Sequence, residues 1–166
     1  MRSILVPLAI VAAIPFAVAA DTKPDFSGEW KLNIDKSNFG PMPPPESETR
    51  TIEHADPSLN VKSVQVGGIG DMTTEMKFST DGKESVNTVK TPNGDLTIKT
   101  TMSWEGKALI AKSTFDIQGM DVHSEDHWEL SEDGKTMTVN QKIVTPQGDF
   151  EASRVYDKAA AAAKTQ

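Results

Sequence analysis

The run His123-Ser124-Glu125-Asp126-His127-Trp128-Glu129 is the densest set of metal-ligating side chains in this sequence. Imidazoles and carboxylates together suit a zinc-type ion, which takes three or four donors at about 2 Å. On a β-strand these two His and two Glu share one face, with neighbours about 7 Å apart. His123 and His127 are then separated by about 13 Å at ~3.3 Å rise per residue. One ion takes an adjacent His–Glu pair at most, and a third ligand must come from another strand. His54, the remaining histidine, lies in the first half of the chain and supplies no obvious one. The run therefore reads as a solvated outer face, with no metal and no inward histidine for haem expected. Catalysis has no better footing, since the chain has no Cys and no Gly-x-Ser-x-Gly turn. Glu132-Asp133 falls at a turn, where acids cap or solvate. Gly67-Gly68-Ile69-Gly70 is not followed by the helix and Lys-Ser/Thr of a phosphate loop. The expectation is a non-enzyme without a cofactor.

The opposite face of that strand is more informative. Asp126 shares the parity of Val122 and Trp128, and Arg154 shares that of Phe150, Ala152 and Tyr156. If both point inward, Asp126 either neutralises Arg154 or leaves it free, because a buried charge must be paired by something. Met72, Met76, Met102, Met120 and Met137 fall on the same inner faces, with Phe78, Trp104, Phe115 and Trp128. A Met-rich lining adapts to varied apolar ligands. The same residues also suit a plain packed core.

Turns space these rows. Gly82, Gly94, Gly106, Gly119, Gly134 and Gly148 are separated by 12, 12, 13, 15 and 14 residues, several in Asp-Gly or Asn-Gly pairs. Such pairs supply the positive φ of tight hairpins. Between them the chain alternates with period two: Leu96, Ile98, Thr100, Met102 and Trp104 on one face, Leu109, Ala111, Ser113, Phe115 and Ile117 on the next. Met137, Val139, Gln141 and Ile143, then Phe150, Ala152, Arg154 and Tyr156, continue the series. The first half adds strands at Gly28–Ile34, Glu46–His54, Leu59–Val66, Met72–Phe78 and Lys83–Lys90, making ten in all. Ser79–Lys83 and Thr91–Asp95 recur as Ser131–Lys135 and Thr145–Asp149, a repeated hairpin grammar and not a second domain. Ten strands in an up-and-down meander close into an antiparallel barrel, which removes exposed edges. An open or sandwiched sheet is the alternative. Gly40-Pro41-Met42-Pro43-Pro44-Pro45 makes a stiff connector that no helix interior tolerates.

The ends and the charge narrow the setting. Arg2, an apolar run from Ile4 to Val18, and Ala17-Val18-Ala19-Ala20 form the pattern of a secretory signal peptide over residues 1–20. An uncleaved anchor is the competing reading, disfavoured by Pro7, Pro15 and a run shorter than the roughly 20 residues of a span. The expected organisation is a signal peptide (1–20), one barrel domain (21–158) and an Ala-rich tail (159–166), in the periplasm or secreted, with no membrane span in the mature chain. The net charge of -7 argues against nucleic acid and against anionic lipid surfaces.

Phe26-Ser27-Gly28-Glu29-Trp30-Lys31-Leu32 resembles the F-x-G-x-W-K-L opening of the intracellular fatty-acid-binding proteins, and shares G-x-W with the lipocalins. Arg154-Val155-Tyr156-Asp157-Lys158 resembles the R-x-Y-x-K close of the same calycin group. The opening is also similar to that of small exported bacterial proteins of no assigned activity. The resemblance implies an all-β, calycin-like barrel of ten antiparallel strands. It further implies that Arg154 and Tyr156 point into a cavity and hold a ligand carboxylate, as a guanidinium fork and a phenol donor can. Trp104, Phe115, Met102 and Trp128 would then line the site of a small lipophilic ligand. The chain departs from the group between strands one and two, where a helix–turn–helix lid is replaced by the Pro-rich connector. The competing class is a structural or protein-interaction barrel with a filled interior and no small ligand.

Overall fold

The computed structural model describes residues 23–91 and 94–160. The expected signal peptide, residues 92 and 93 of one hairpin turn, and positions 161–166 of the expected tail lie outside the described residues. Ten strands follow one another: β1 (Gly28–Asn38), β2 (Pro45–Ala55), β3 (Ser58–Gly67), β4 (Met72–Ser79), β5 (Asp81–Thr91), β6 (Gly94–Glu105), β7 (Ala108–Ile117), β8 (Met120–Leu130), β9 (Thr136–Thr145) and β10 (Gly148–Lys158). The sheet order is β4-β3-β2-β1-β10-β9-β8-β7-β6-β5, an up-and-down meander in which β1 also pairs with β10. No helix forms among the described residues.

Closure is nearly complete, and the one seam falls between β4 and β5. Side chains bridge it in place of a ladder. The Asn87 carboxamide accepts from the Lys77 amide at 2.8 Å and donates to the Lys77 carbonyl at 3.0 Å. Ser85 Oγ accepts from the Ser79 amide at 3.1 Å. An amide side chain offers the same donor and acceptor as a peptide group, so Asn87 satisfies an edge that would otherwise be buried unpaired.

Up-and-down connectivity places alternate turns at opposite ends. One end, the floor, is solid. Phe26, just before β1, is fully buried with Trp30, Leu59, Leu109, Met137 and Tyr156. Its ring lies 6.1 Å from Trp104 and 6.2 Å from Trp128, and its carbonyl accepts from Trp30 Nε1 at 2.9 Å. The other end is the mouth. There the inner rows go on, but Met72, Leu96, Ile98, Phe115, Met120 and Phe150 are only half-buried.

The connector between β1 and β2 runs along the mouth without a helix, as its prolines require. Gly40 has a φ of 58°, and a Cβ there would meet the Glu151 carbonyl oxygen at 2.6 Å. Only glycine lets the connector lie this close to β10. At its far end the connector packs against the β3–β4 turn, with Pro45 Cα 3.2 Å from where a Gly68 Cβ would stand.

Candidate functional site

The inner face of β2 is set by its one large apolar residue. Ile52 is buried, and Glu48, Arg50 and His54 share its parity. Strand alternation therefore carries two opposite charges into the barrel. Glu48 is 5 % exposed. Its Oε1 accepts from Arg50 Nε at 2.7 Å and from the Tyr156 hydroxyl at 3.0 Å. The Arg50 guanidinium lies 4.6 Å from the Tyr156 ring centre and 5.5 Å from that of Trp128, so two aromatic faces hold it. Burial pushes the Glu48 carboxyl up, but Arg50 outweighs it. With help from Arg154 and the Tyr156 hydroxyl, Glu48 is held below the usual carboxylate range. A depressed carboxyl contributes stability above its unfolded value of 4.5, and that stability is lost as pH falls through the folded value. Tyr156 moves the other way: burial raises its phenol, so it stays a donor.

Asp126, on β8, also faces inward. Its Oδ1 accepts from Gln141 Nε2 at 2.9 Å, and it makes no close ion pair with Arg154. Arg154 is half-buried and forms no hydrogen bond or ion pair with its side chain among the described residues. Its charge is nonetheless felt by Glu48, Asp126 and Tyr156. Of the two alternatives left by the sequence, the neutralising Asp126–Arg154 pair is not formed, and the buried ion pair belongs to Glu48 and Arg50.

Burial raises the Asp126 carboxyl against the opposing effects of Gln141, Arg50 and Arg154. A raised carboxyl pKa means that ionisation costs stability in the folded state. Asp126→Asn keeps an oxygen for Gln141 and removes that cost. It is expected to raise Tm at pH 7, with the gain vanishing below the unfolded value of 3.8, where both states hold the proton. Thermal melts at pH 7 and pH 3 check this.

The sequence-predicted lining divides between the two ends. Met102 and Trp128 join Tyr156 in the buried core, and Trp128 Nε1 is buried without a hydrogen-bond partner. Phe115 stands toward the mouth, paired across β6 and β8 with Ile98 and Val122. Trp104 belongs to the floor, where its Nε1 donates to Asp56 Oδ1 at 2.9 Å. Asp56 also accepts from Thr80 and from Lys23. The Thr80 hydroxyl first, then Trp104 and Lys23, bring its carboxyl down to about 2.

Three inner residues escaped the sequence reading: Glu48, Arg50 and His54. The histidines were all expected to face outward, and for His54 the structure corrects this. Its side chain is 4 % exposed, 6.1 Å from Phe26 and 5.9 Å from Trp104 by ring centres. Nδ1 accepts from the Phe26 amide at 3.3 Å, which leaves the proton on Nε2, buried without a hydrogen-bond partner and 4.0 Å from Asp56 Oδ1. Parity with Ile52 was the available signal.

His123, Glu125, His127 and Glu129 do lie on the outer wall. Glu125 is occupied by His127 at 2.8 Å and Lys112 at 3.3 Å. Two open concavities flank it. One, of about 490 Å³, is lined by Lys99, Lys112, His123 and Lys142 among others. Its neighbour, of about 470 Å³, includes His127, Glu129 and Glu151.

No family model matches the sequence. A search of curated proteins also finds no match. Solved structures do match. The zebrafish ileal bile acid-binding protein, crystallised with cholic acid, is 17% identical, over 81% of this chain and 98% of that one, at a TM-score of 0.52. A secretory abundant heat soluble protein from Ramazzottius varieornatus is 16% identical over 80% and 94%, at 0.56. The fatty-acid-binding protein of Manduca sexta is 16% identical over 80% and 99%, at 0.50. At such identities the likeness is one of fold. The chain is thus a calycin-like barrel, ten antiparallel strands nearly closed on themselves, of the architecture that fatty-acid-binding proteins share.

Proposed function

We propose that this protein binds a small amphipathic molecule in the mouth half of its barrel, with an acidic head group on Arg154. The observation that carries this reading is a cation inside the barrel wall whose guanidinium has no ion-pair partner among the described residues, while Glu48 already serves Arg50. A half-buried guanidinium beside apolar side chains is an incomplete arrangement that an anionic head group completes. The tail would lie along Leu96, Ile98, Phe115, Met120 and Phe150, which are half-buried at the mouth. Two proteins of similar fold, one crystallised with cholic acid and the other a fatty-acid-binding protein, support the same class. Carboxylate chemistry is our proposal for the head group. Export to a periplasm or the medium is the proposal that residues 1–20 support. We read the chain as a carrier and not an enzyme.

A second reading, a protein-interaction barrel, draws on the two concavities of the outer wall. The two are separated by extracting purified protein with organic solvent, identifying the extract by mass spectrometry, and titrating the stripped protein with a dansylated undecanoic acid. A carrier yields a co-purified amphiphile or binds the probe at micromolar concentration. Arg154→Ala is expected to weaken the probe about 10- to 100-fold, the worth of one charge-assisted contact. An empty extract together with no probe binding overturns the carrier reading.

A further inference from the structure

The interior holds a second guanidinium, Arg50, and the chain has closed it with its own carboxylate. Glu48 Oε1 stands 2.7 Å from Arg50 Nε and 3.0 Å from the Tyr156 hydroxyl. These are the contacts a ligand carboxylate would make with the same pair. Arg50 cannot swing away to meet a guest, because it is stacked on Tyr156 and Trp128 and only 13 % exposed. Glu48 is tethered two residues from Arg50 on the same strand face, so it competes at the high effective concentration of an intramolecular group.

We propose that Glu48 is a specificity-determining residue: it holds the Arg50–Tyr156 pair closed, so the barrel accepts a single monoanionic head group at Arg154 and rejects dianions. This rests on the interior-carrier reading above. The charges inside explain the exclusion. Arg50 is matched by Glu48, which leaves Arg154 with Asp126 near it but not paired to it. A guest with one negative charge pairs with Arg154, the interior cation that has no direct ion-pair partner among the described residues. A second negative charge would meet only Glu48 and Asp126, and like charges at close range disfavour each other. Glu48→Gln removes the internal charge while keeping an oxygen for Arg50 Nε and Tyr156. In the variant Arg50, like Arg154, has no direct carboxylate partner, so a second negative charge meets a cation in place of the Glu48 carboxylate.

The test uses the full protein and three probes of closely similar tail length: dodecanol, dodecanoate and dodecylmalonate. Dodecanol reports tail binding and is expected to be unchanged by Glu48→Gln. In the unaltered protein dodecanoate should bind at least tenfold more tightly than dodecylmalonate. In Glu48→Gln that preference should shrink by tenfold or more, through a gain for dodecylmalonate. An unchanged ratio overturns the proposal. The side-chain Nε–H signals of arginine give a measurement that needs no variant. On adding dodecanoate the Arg154 signal should move and the Arg50 signal should stay, and movement of Arg50 instead means that Glu48 yields to the guest, which overturns the proposal. The two readings fail differently. If the unaltered protein binds no probe but Glu48→Gln binds dodecylmalonate, the gate stands and the native carrier reading falls. If neither protein binds any probe, both fall.

Discussion

Phe26→Ala is expected to destabilise the barrel by about 3–5 kcal/mol, the cost of emptying a fully buried aromatic site. Phe26 stands outside the strand ladder, before β1, yet it is 0 % exposed and is the common neighbour of His54, Trp104 and Trp128. Its backbone also anchors the floor, since its amide donates to His54 and its carbonyl accepts from Trp30. Those backbone bonds survive the substitution, so the loss reads out the ring alone. Rigid strands on all sides leave little means of collapse into the cavity, which favours the upper part of the range. Chemical denaturation checks it, with Phe150→Ala as the comparison. Phe150 occupies the equivalent inner row at the mouth but is half-buried, and its loss should cost less than half as much. Equal costs would mean that the mouth is packed as tightly as the floor.

Arg50→Ala is expected to cost a similar amount, about 3–5 kcal/mol, for an electrostatic reason. It leaves the Glu48 carboxylate nearly buried with only the Tyr156 hydroxyl bonded to it. Replacing both partners, as in Glu48→Met with Arg50→Met, should cost far less than Arg50→Ala alone, because no charge is stranded. The pH dependence separates this from lost packing. In the native protein Arg50 is the main reason that Glu48 stays below the usual carboxylate range despite its burial. Without Arg50, burial dominates and lifts the Glu48 carboxyl above its unfolded value. The variant's deficit should then narrow as the pH falls through that raised value and the carboxyl takes up a proton. A deficit independent of pH would assign the loss to the aromatic stacking of Arg50.

How legible the molecule was depended on how many apolar residues each strand carries. In β6 through β10 the inner rows hold three or more apolar residues each, so period two fixed their phase, and the paired registers follow it from Ile98–Phe115 to Tyr156–Met137. The turn glycines spaced the hairpins, and the two ends of the chain pointed to a closed barrel. Strand β2 was different. Its inner row is Glu48, Arg50, Ile52 and His54, with one apolar residue in four. Charged side chains on a strand ordinarily signal water, and their burial here depends on partners from elsewhere in the barrel, above all Tyr156, 108 positions away. Such long-range pairing has no local signature. The same holds for the seam: Asn87 looks like any polar strand residue until its amide is seen to stand in for a missing neighbour at Lys77. Arg154 shares the row of Ala152 and Tyr156, and the bond of Asp126 to Gln141 rather than to Arg154 is a cross-strand choice between polar groups.

The proposed carrier function requires Arg154 to present an unmatched positive charge to a guest inside the barrel. A crystal structure of the protein with dodecanoate tests it most directly. The predicted result is the carboxylate within hydrogen-bond distance of the Arg154 guanidinium, the tail running past Ile98 and Phe115 toward the mouth, and Glu48 still bonded to Arg50. Dodecanoate found only on the outer wall near Lys99 and Lys142, or an interior filled by its own side chains with no guest, would contradict it.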